Sequence, residues 1–194
     1  APAAPAKEKK ISGFWRRLAA LAIDVLILAA IGFVVGTLFY NFLARLGSHG
    51  FWVGLFISVA YFSWMNSSFN SGQTIGKRIM KIRVVDVLGN TISLGRSIKR
   101  SALLVVPFMY SSIEQAGLDL IVRIIAFFIM AAIIYLYMFN ARTRQTVHDL
   151  ALKTFVVHAD YDLFLEEVPV PSRHFAAMTL AGVLMVALMF AWPR

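Results

Sequence analysis

Residues 18–40 read LAALAIDVLILAAIGFVVGTLFY, and this stretch decides the class of the protein. It is long enough as a helix to cross a hydrocarbon core, which takes about 20 residues at ~1.5 Å each. Asp24 interrupts it, and Arg16 and Arg17 stand at its entrance. An ionised carboxylate at membrane depth costs roughly 2.5–3.5 kcal/mol on insertion scales, so Asp24 needs a partner inside protein.

Working outward, further apolar segments follow at 51–69, 118–139 and 175–192, with a shorter, Pro107-interrupted stretch at 101–116. The 194 residues are 59% hydrophobic and only 15% charged, a membrane composition. If 101–116 crosses, the protein has five spans; if it is interfacial or re-entrant, four. Five is the preferred count. It gathers the loops 1–17, 70–100 and 140–174, which hold nearly all the Lys and Arg, on one side. The positive-inside rule then places the N-terminus in the cytoplasm and the C-terminus outside. Pro107 kinks that short helix, and Arg100 anchors its end by snorkelling.

The expected fold is thus an all-α transmembrane helical bundle of four to five membrane spans with a small cytoplasmic β-hairpin loop. Within residues 72–100, KIRVVDVLGNTISLG has two β-rich runs around Gly89-Asn90, a hairpin signal, and Thr154-Phe155-Val156-Val157 offers a third strand. Four units follow: a flexible arm 1–12, a membrane domain 13–157, an acidic and proline-containing linker 158–174, and an additional C-terminal transmembrane helix 175–194.

Composition excludes several chemistries. The chain has no cysteine, so disulfides and thiolate chemistry are out. The net charge of +9 flanks apolar segments, which suits topology and anionic headgroups better than nucleic acid. Lys77, Arg78 and Lys81 form the basic loop expected at those headgroups. Gly72-Gln-Thr-Ile-Gly76-Lys77 is not a phosphate loop, since three residues rather than four separate its glycines and Arg78 follows the lysine. His158, Asp160, Asp162, Glu166 and Glu167 read as a solvated acidic linker rather than a metal site. No triad or paired acid–base set emerges, so neither catalysis nor a cofactor is expected. Ala181-Gly182 in the last span is a small patch that lets another helix approach closely.

Arg17 and Asp24 lie seven residues apart on one helix face, about 10.5 Å by rise, too far to bond each other. Asp149 falls at the level where Arg16 and Arg17 enter, which suggests an Arg17–Asp149 pair. His148 beside it is a histidine at the surface or one that titrates near neutrality. For Asp24 two uses stand open: an interhelical polar clamp, or a cation or proton site.

FWRRLAALAIDVLIL, SGQTIGKRIMKIRVVDVLGNTISLGRSIKR and TRQTVHDLALKTFVV, in this order and spacing over about residues 12–157, resemble the RDD family of bacterial membrane proteins. The family is named for one arginine and two aspartates, which fall on Arg17 (with Arg16 adjacent), Asp24 and Asp149. The resemblance implies a bundle with these charges near the cytoplasmic side. It implies little about activity, although cation/proton transport has been proposed for some members. A non-catalytic accessory or assembly subunit, in contact with membrane lipids and with other subunits or copies of itself, is the preferred expectation. The absence of catalytic motifs and of a visible inverted repeat supports it. A proton-coupled cation antiporter using Asp24 with Arg17 and Asp149 is the alternative.

Overall fold

The computed structural model describes residues 11–110, 119–140, 144–160 and 171–191. Helix α1 (Phe14–Leu38) turns at Phe39 into α2 (Tyr40–Leu46), and a 3-10 turn at Gly47–His49 leads to α3 (Gly50–Met65). Then come short α4 (Ile75–Ile79), strand β1 (Ile82–Asp86), α5 (Leu94–Tyr110), α6 (Asp119–Phe139), short α7 (Val147–Ala151), strand β2 (Thr154–His158) and α8 (Ser172–Ala191). Among the described residues, two segments are long and apolar enough to cross a membrane: Phe14–Leu38 and Tyr40–Met65. Ile124–Phe139 of α6 is apolar but shorter.

The expected β-hairpin does not form. β1 pairs antiparallel with β2, Val84 opposite Val156, in a two-stranded sheet. The reason lies in Asp86. Its carboxylate accepts from the backbone N–H groups of Leu88 and Asn90, both at 2.9 Å, while its own N–H donates to the Asn90 carbonyl at 2.8 Å. This closed turn leaves only three residues before α5. Ile92 is drawn into the core, so no second strand can run back along β1. β2, with four consecutive buried residues, is the better partner because the sheet is covered on both faces. Ile82, Val84 and Val156 pack with Ala20 and Ile92 on one side; Val85, Phe155 and Val157 pack with Ile11 and Val87 on the other. A two-stranded sheet is marginal alone, and this double cover is what supports it. Ile11 and Ser12, the end of the arm, join it through an Ile11–Val157 bridge and a 2.9 Å bond from Ser12 N–H to the Val156 carbonyl.

The two strand units repeat one another. Gln73-Thr74-Ile75 opens α4, Lys81 follows it, and Val84-Val85 lies in β1; Gln145-Thr146-Val147, Lys153 and Val156-Val157 stand at the same spacings around α7 and β2. Lys81 and Lys153 both take left-handed backbone, φ 54° and 49°, to turn from helix to strand. Gln73 Nε2 donates to the Ile82 carbonyl at 3.0 Å, and Gln145 Nε2 donates to the Thr154 carbonyl at 3.0 Å. The sheet register, with Val84 facing Val156 at its centre, relates the two units by an approximate two-fold.

Helix α5 starts at Leu94, earlier than the apolar stretch alone suggests, and packs on α3 and α6. Pro107 lies inside it; residues 111–116 are outside the described residues. Helix α8 packs on α6, where Gly182 meets the Phe128 ring so closely that a Cβ would overlap it.

Candidate functional site

Asp24 and Asp149 are the most buried acids among the described residues, 1% and 0% exposed, and each sits at the start of one of the repeated short helices. Thr74 caps α4, its Oγ1 accepting from the Lys77 N–H at 3.2 Å, and donates its own proton to Asp24 Oδ2 at 2.5 Å. Asp24 Oδ1 accepts from the Gly76 N–H at 2.9 Å and from the Tyr61 hydroxyl at 2.7 Å. Glycine is required at 76: a Cβ there would lie 2.1 Å from the Ala20 carbonyl oxygen and 3.1 Å from Asp24 Cγ. At Gly72, φ is +70° and a Cβ would lie 2.4 Å from the Val84 carbonyl oxygen. The Gly-Gln-Thr-Ile-Gly stretch therefore carries a buried carboxylate on its backbone and cap.

Asp149 closes the second arrangement from within. It accepts the Thr146 N–H at 3.3 Å and the Thr146 hydroxyl at 3.1 Å, capping its own helix α7. Thr154 Oγ1 of β2 adds a bond at 3.2 Å. Two guanidiniums complete the shell: Arg17 Nη2 at 2.7 Å from Oδ2, and Arg100 Nη2 and Nε at 2.6 and 3.1 Å from Oδ1. Arg17 also donates to the Arg144 carbonyl and lies over the Tyr137 ring, 5.4 Å from its centroid. Burial alone would raise the Asp149 pKa, but the Arg100 charge, with His148 and Arg17, outweighs it and holds the carboxyl well below its ordinary range.

The Arg17–Asp149 pair is thus present, and Arg17 and Asp24, as their spacing requires, use separate partners. Arg16 is exposed and bonds His158 Nδ1 at 2.8 Å. Arg100 does not snorkel: it is 4% exposed and is the second cation on Asp149. Arg100 falls inside α5 because the helix starts at Leu94, which the apolar pattern alone does not reveal. Lys77 likewise points into the bundle. Its ammonium donates to Asn66 Oδ1 inside the bundle, while Arg78 and Lys81 remain exposed, Arg78 bonding Asn70 Oδ1 at 2.8 Å. Burial, with the Arg100 charge, pulls the Lys77 pKa well below its ordinary value.

His148 is neither at the surface nor near-neutral in titration. It is 5% exposed, its ring nitrogens 3.0 and 3.1 Å from Thr146 Oγ1. Burial pushes its pKa down to about 3; Asp149 opposes this, and Arg100, Arg17 and Lys77 reinforce it. No group of three His, Asp or Glu able to hold a metal occurs among the described residues. Asp162, Glu166 and Glu167 lie outside them. Tyr61, Thr74, Gly76 and Arg100 are the site residues that sequence reasoning missed. The threonine directly before a short Ile-Gly-Lys-Arg helix is a cap signal that points to Thr74.

Between α1, α3, α5 and α6 lies a cavity of about 310 Å³. Arg17, Asp24, Asn66, Lys77, Arg100, Ser101 and His148 supply its polar wall, and mainly apolar side chains of α1, α3, α5, α6 and β2 supply the rest.

No curated protein matches the chain, and no solved structure matches it. The family model that matches is that of the RDD family, over residues 11–153, which takes in both buried acids, both guanidiniums and the short helices α4 and α7, and ends just before β2. The chain belongs to the RDD family of membrane proteins.

Proposed function

We propose that this protein is a non-catalytic, multi-pass subunit of the bacterial inner membrane, its N-terminus cytoplasmic, that serves the assembly of a larger membrane complex. The observation that carries this reading is the use of the signature charges. Asp24 holds α4 against α1, and Asp149 ties α1 and α5 to α7 and β2. Each carboxylate is tied by several hydrogen bonds to backbone and side chains of other elements, as a clamp between elements would be. The outer part of α1, helix α2 and the outward side of α3 leave Leu26, Phe33, Leu38, Phe42 and Phe56 exposed for lipid or for neighbouring subunits. Helix α8, beyond the residues matched to the family, adds a further apolar surface.

The alternative, proton-coupled cation antiport, has one observation in its favour: Asp24 lines the cavity. The two readings separate in one pair of measurements. Gentle detergent extraction followed by mass analysis is expected to return other subunits in fixed ratio, and proteoliposomes of the purified protein to show no proton-coupled cation flux. A flux that Asp24→Asn abolishes in protein that still folds would replace the assembly reading with transport.

A further inference from the structure

The cavity has a polar end and an apolar end, and the order is written along its helices. On α5, Arg100 and Ser101 come first, then Leu104 and Phe108 at successive turns, about 12 Å beyond Arg100. On α6, Tyr137 and Met138 lie towards the short-helix end, and Ile133 and Ile134 one turn away. The wall is open sideways as well. Leu18, Phe108, Ile134 and Met138 line the cavity and are 37%, 39%, 46% and 57% exposed, so an opening leads towards the bilayer.

Two groups at the polar end lack the partners that the rest of the site has. Ser101 is 1% exposed, lines the cavity, and its hydroxyl has no hydrogen-bond partner among the described residues. Buried hydroxyls are rarely left this way without a ligand or ordered solvent. Lys77 donates to Asn66 and has no carboxylate within ion-pairing distance among the described residues. Arg17 and Arg100 share the single charge of Asp149, so with Asp24 included the polar cluster carries a surplus of one positive charge when Lys77 is protonated.

We infer that this cavity binds one anionic phospholipid, its phosphate at Lys77 and Ser101 and part of an acyl chain between Leu104, Phe108 and Ile133. The surplus cation supplies charge complementarity, the orphan hydroxyl a donor, and the lateral opening an entry path from the membrane. The volume is at the lower end of ligand pockets, ~300–1,000 Å³, enough for a head group and the first part of a chain, with the remainder passing out through the opening. An anion at Lys77 also restores the charged form that burial there disfavours. This site does not depend on which reading of the whole protein holds.

The test is native mass spectrometry of the full-length protein in detergent, titrated with 1-palmitoyl-2-oleoyl phosphatidylglycerol, the corresponding phosphatidylcholine, or inorganic phosphate alone. One phosphatidylglycerol is expected to remain bound per chain, at least tenfold tighter than phosphatidylcholine, with phosphate alone binding negligibly. Leu104→Trp, which fills the apolar arm, and Lys77→Gln are each expected to weaken it about tenfold or more. Ser101→Ala gives the cleanest reading, because it removes a hydroxyl with no partner among the described residues: lipid affinity falls while lipid-free stability holds or rises. Arg78→Gln with Lys81→Gln, on the exposed surface, leaves binding unchanged. Equal binding of the two lipids, equal binding of phosphate alone, indifference to Leu104→Trp and Ser101→Ala, or loss on Arg78→Gln/Lys81→Gln instead, each overturns the site.

Discussion

Asp149→Asn keeps the side chain's shape and removes its charge. In the native protein that charge is shared by two guanidiniums, Arg17 at 2.7 Å and Arg100 at 2.6 Å, with exposures of 7% and 4%. Charge-assisted hydrogen bonds contribute about 1.5–3 kcal/mol each, so losing their ionic character at both arginines costs on the order of 3–6 kcal/mol. Breaking a buried ion pair by removing one partner typically costs about 3–5 kcal/mol, because the remaining charge is stranded, and here two like charges are stranded together. The Thr146 and Thr154 bonds to the side chain are weakened as well. The expected loss is therefore about 3–5 kcal/mol, read as a shift of the unfolding midpoint in a mixed-micelle denaturant titration. The triple change Arg17→Met, Arg100→Met, Asp149→Leu removes all three charges together and is expected to recover much of that loss. If Asp149→Asn unfolds within about 1 kcal/mol of the wild type, or if the triple variant is no better than the single one, the ion cluster is not what joins α1 and α5 to the second repeat.

The pH dependence has a definite sign. An unfolded His148 takes up a proton near pH 6.5, whereas the buried ring does so only near pH 3, so between these values the unfolded chain binds more protons. Stability is full above about pH 6.5 and falls by up to about 1.4 kcal/mol per pH unit on acidification; His148→Gln should flatten that slope, and an unchanged slope would show the ring is solvated. Gly76→Ala places a methyl against the Ala20 carbonyl and is expected to cost about 1–3 kcal/mol or more, whereas Gly95→Ala in α5 meets nothing within 4 Å and should be neutral or mildly stabilising in the same titration. Tyr61→Phe removes one of three donors to Asp24 and is expected to cost about 1–3 kcal/mol; Tyr61→Phe matching wild type would mean that Thr74 and Gly76 suffice.

The sequence by itself determined that this is a membrane protein and where its signature charges stand. Residues 18–40 are too long and too apolar for a different reading, and a carboxylate inside such a segment demands a partner in protein. It also carried the Arg17–Asp149 pair, since both residues enter at the same level. The repeat Gln-Thr-Ile/Val…Lys…Val-Val was written there too. It is hard to see because each copy is short, one lies in a loop and the other after a span, and neither resembles a helix-length unit. What only the tertiary structure decided is which strand β1 takes as its neighbour, and which donors close on each acid. Asp86 folds its own turn and bars the local hairpin, so β1 must wait for a strand from across the chain. Thr74, Gly76, Tyr61 and Arg100 reach Asp24 and Asp149 from elements far apart in sequence, and such contacts leave no local period to read. Burial of a charge can be inferred along one helix; its partners are set by the packing of the others.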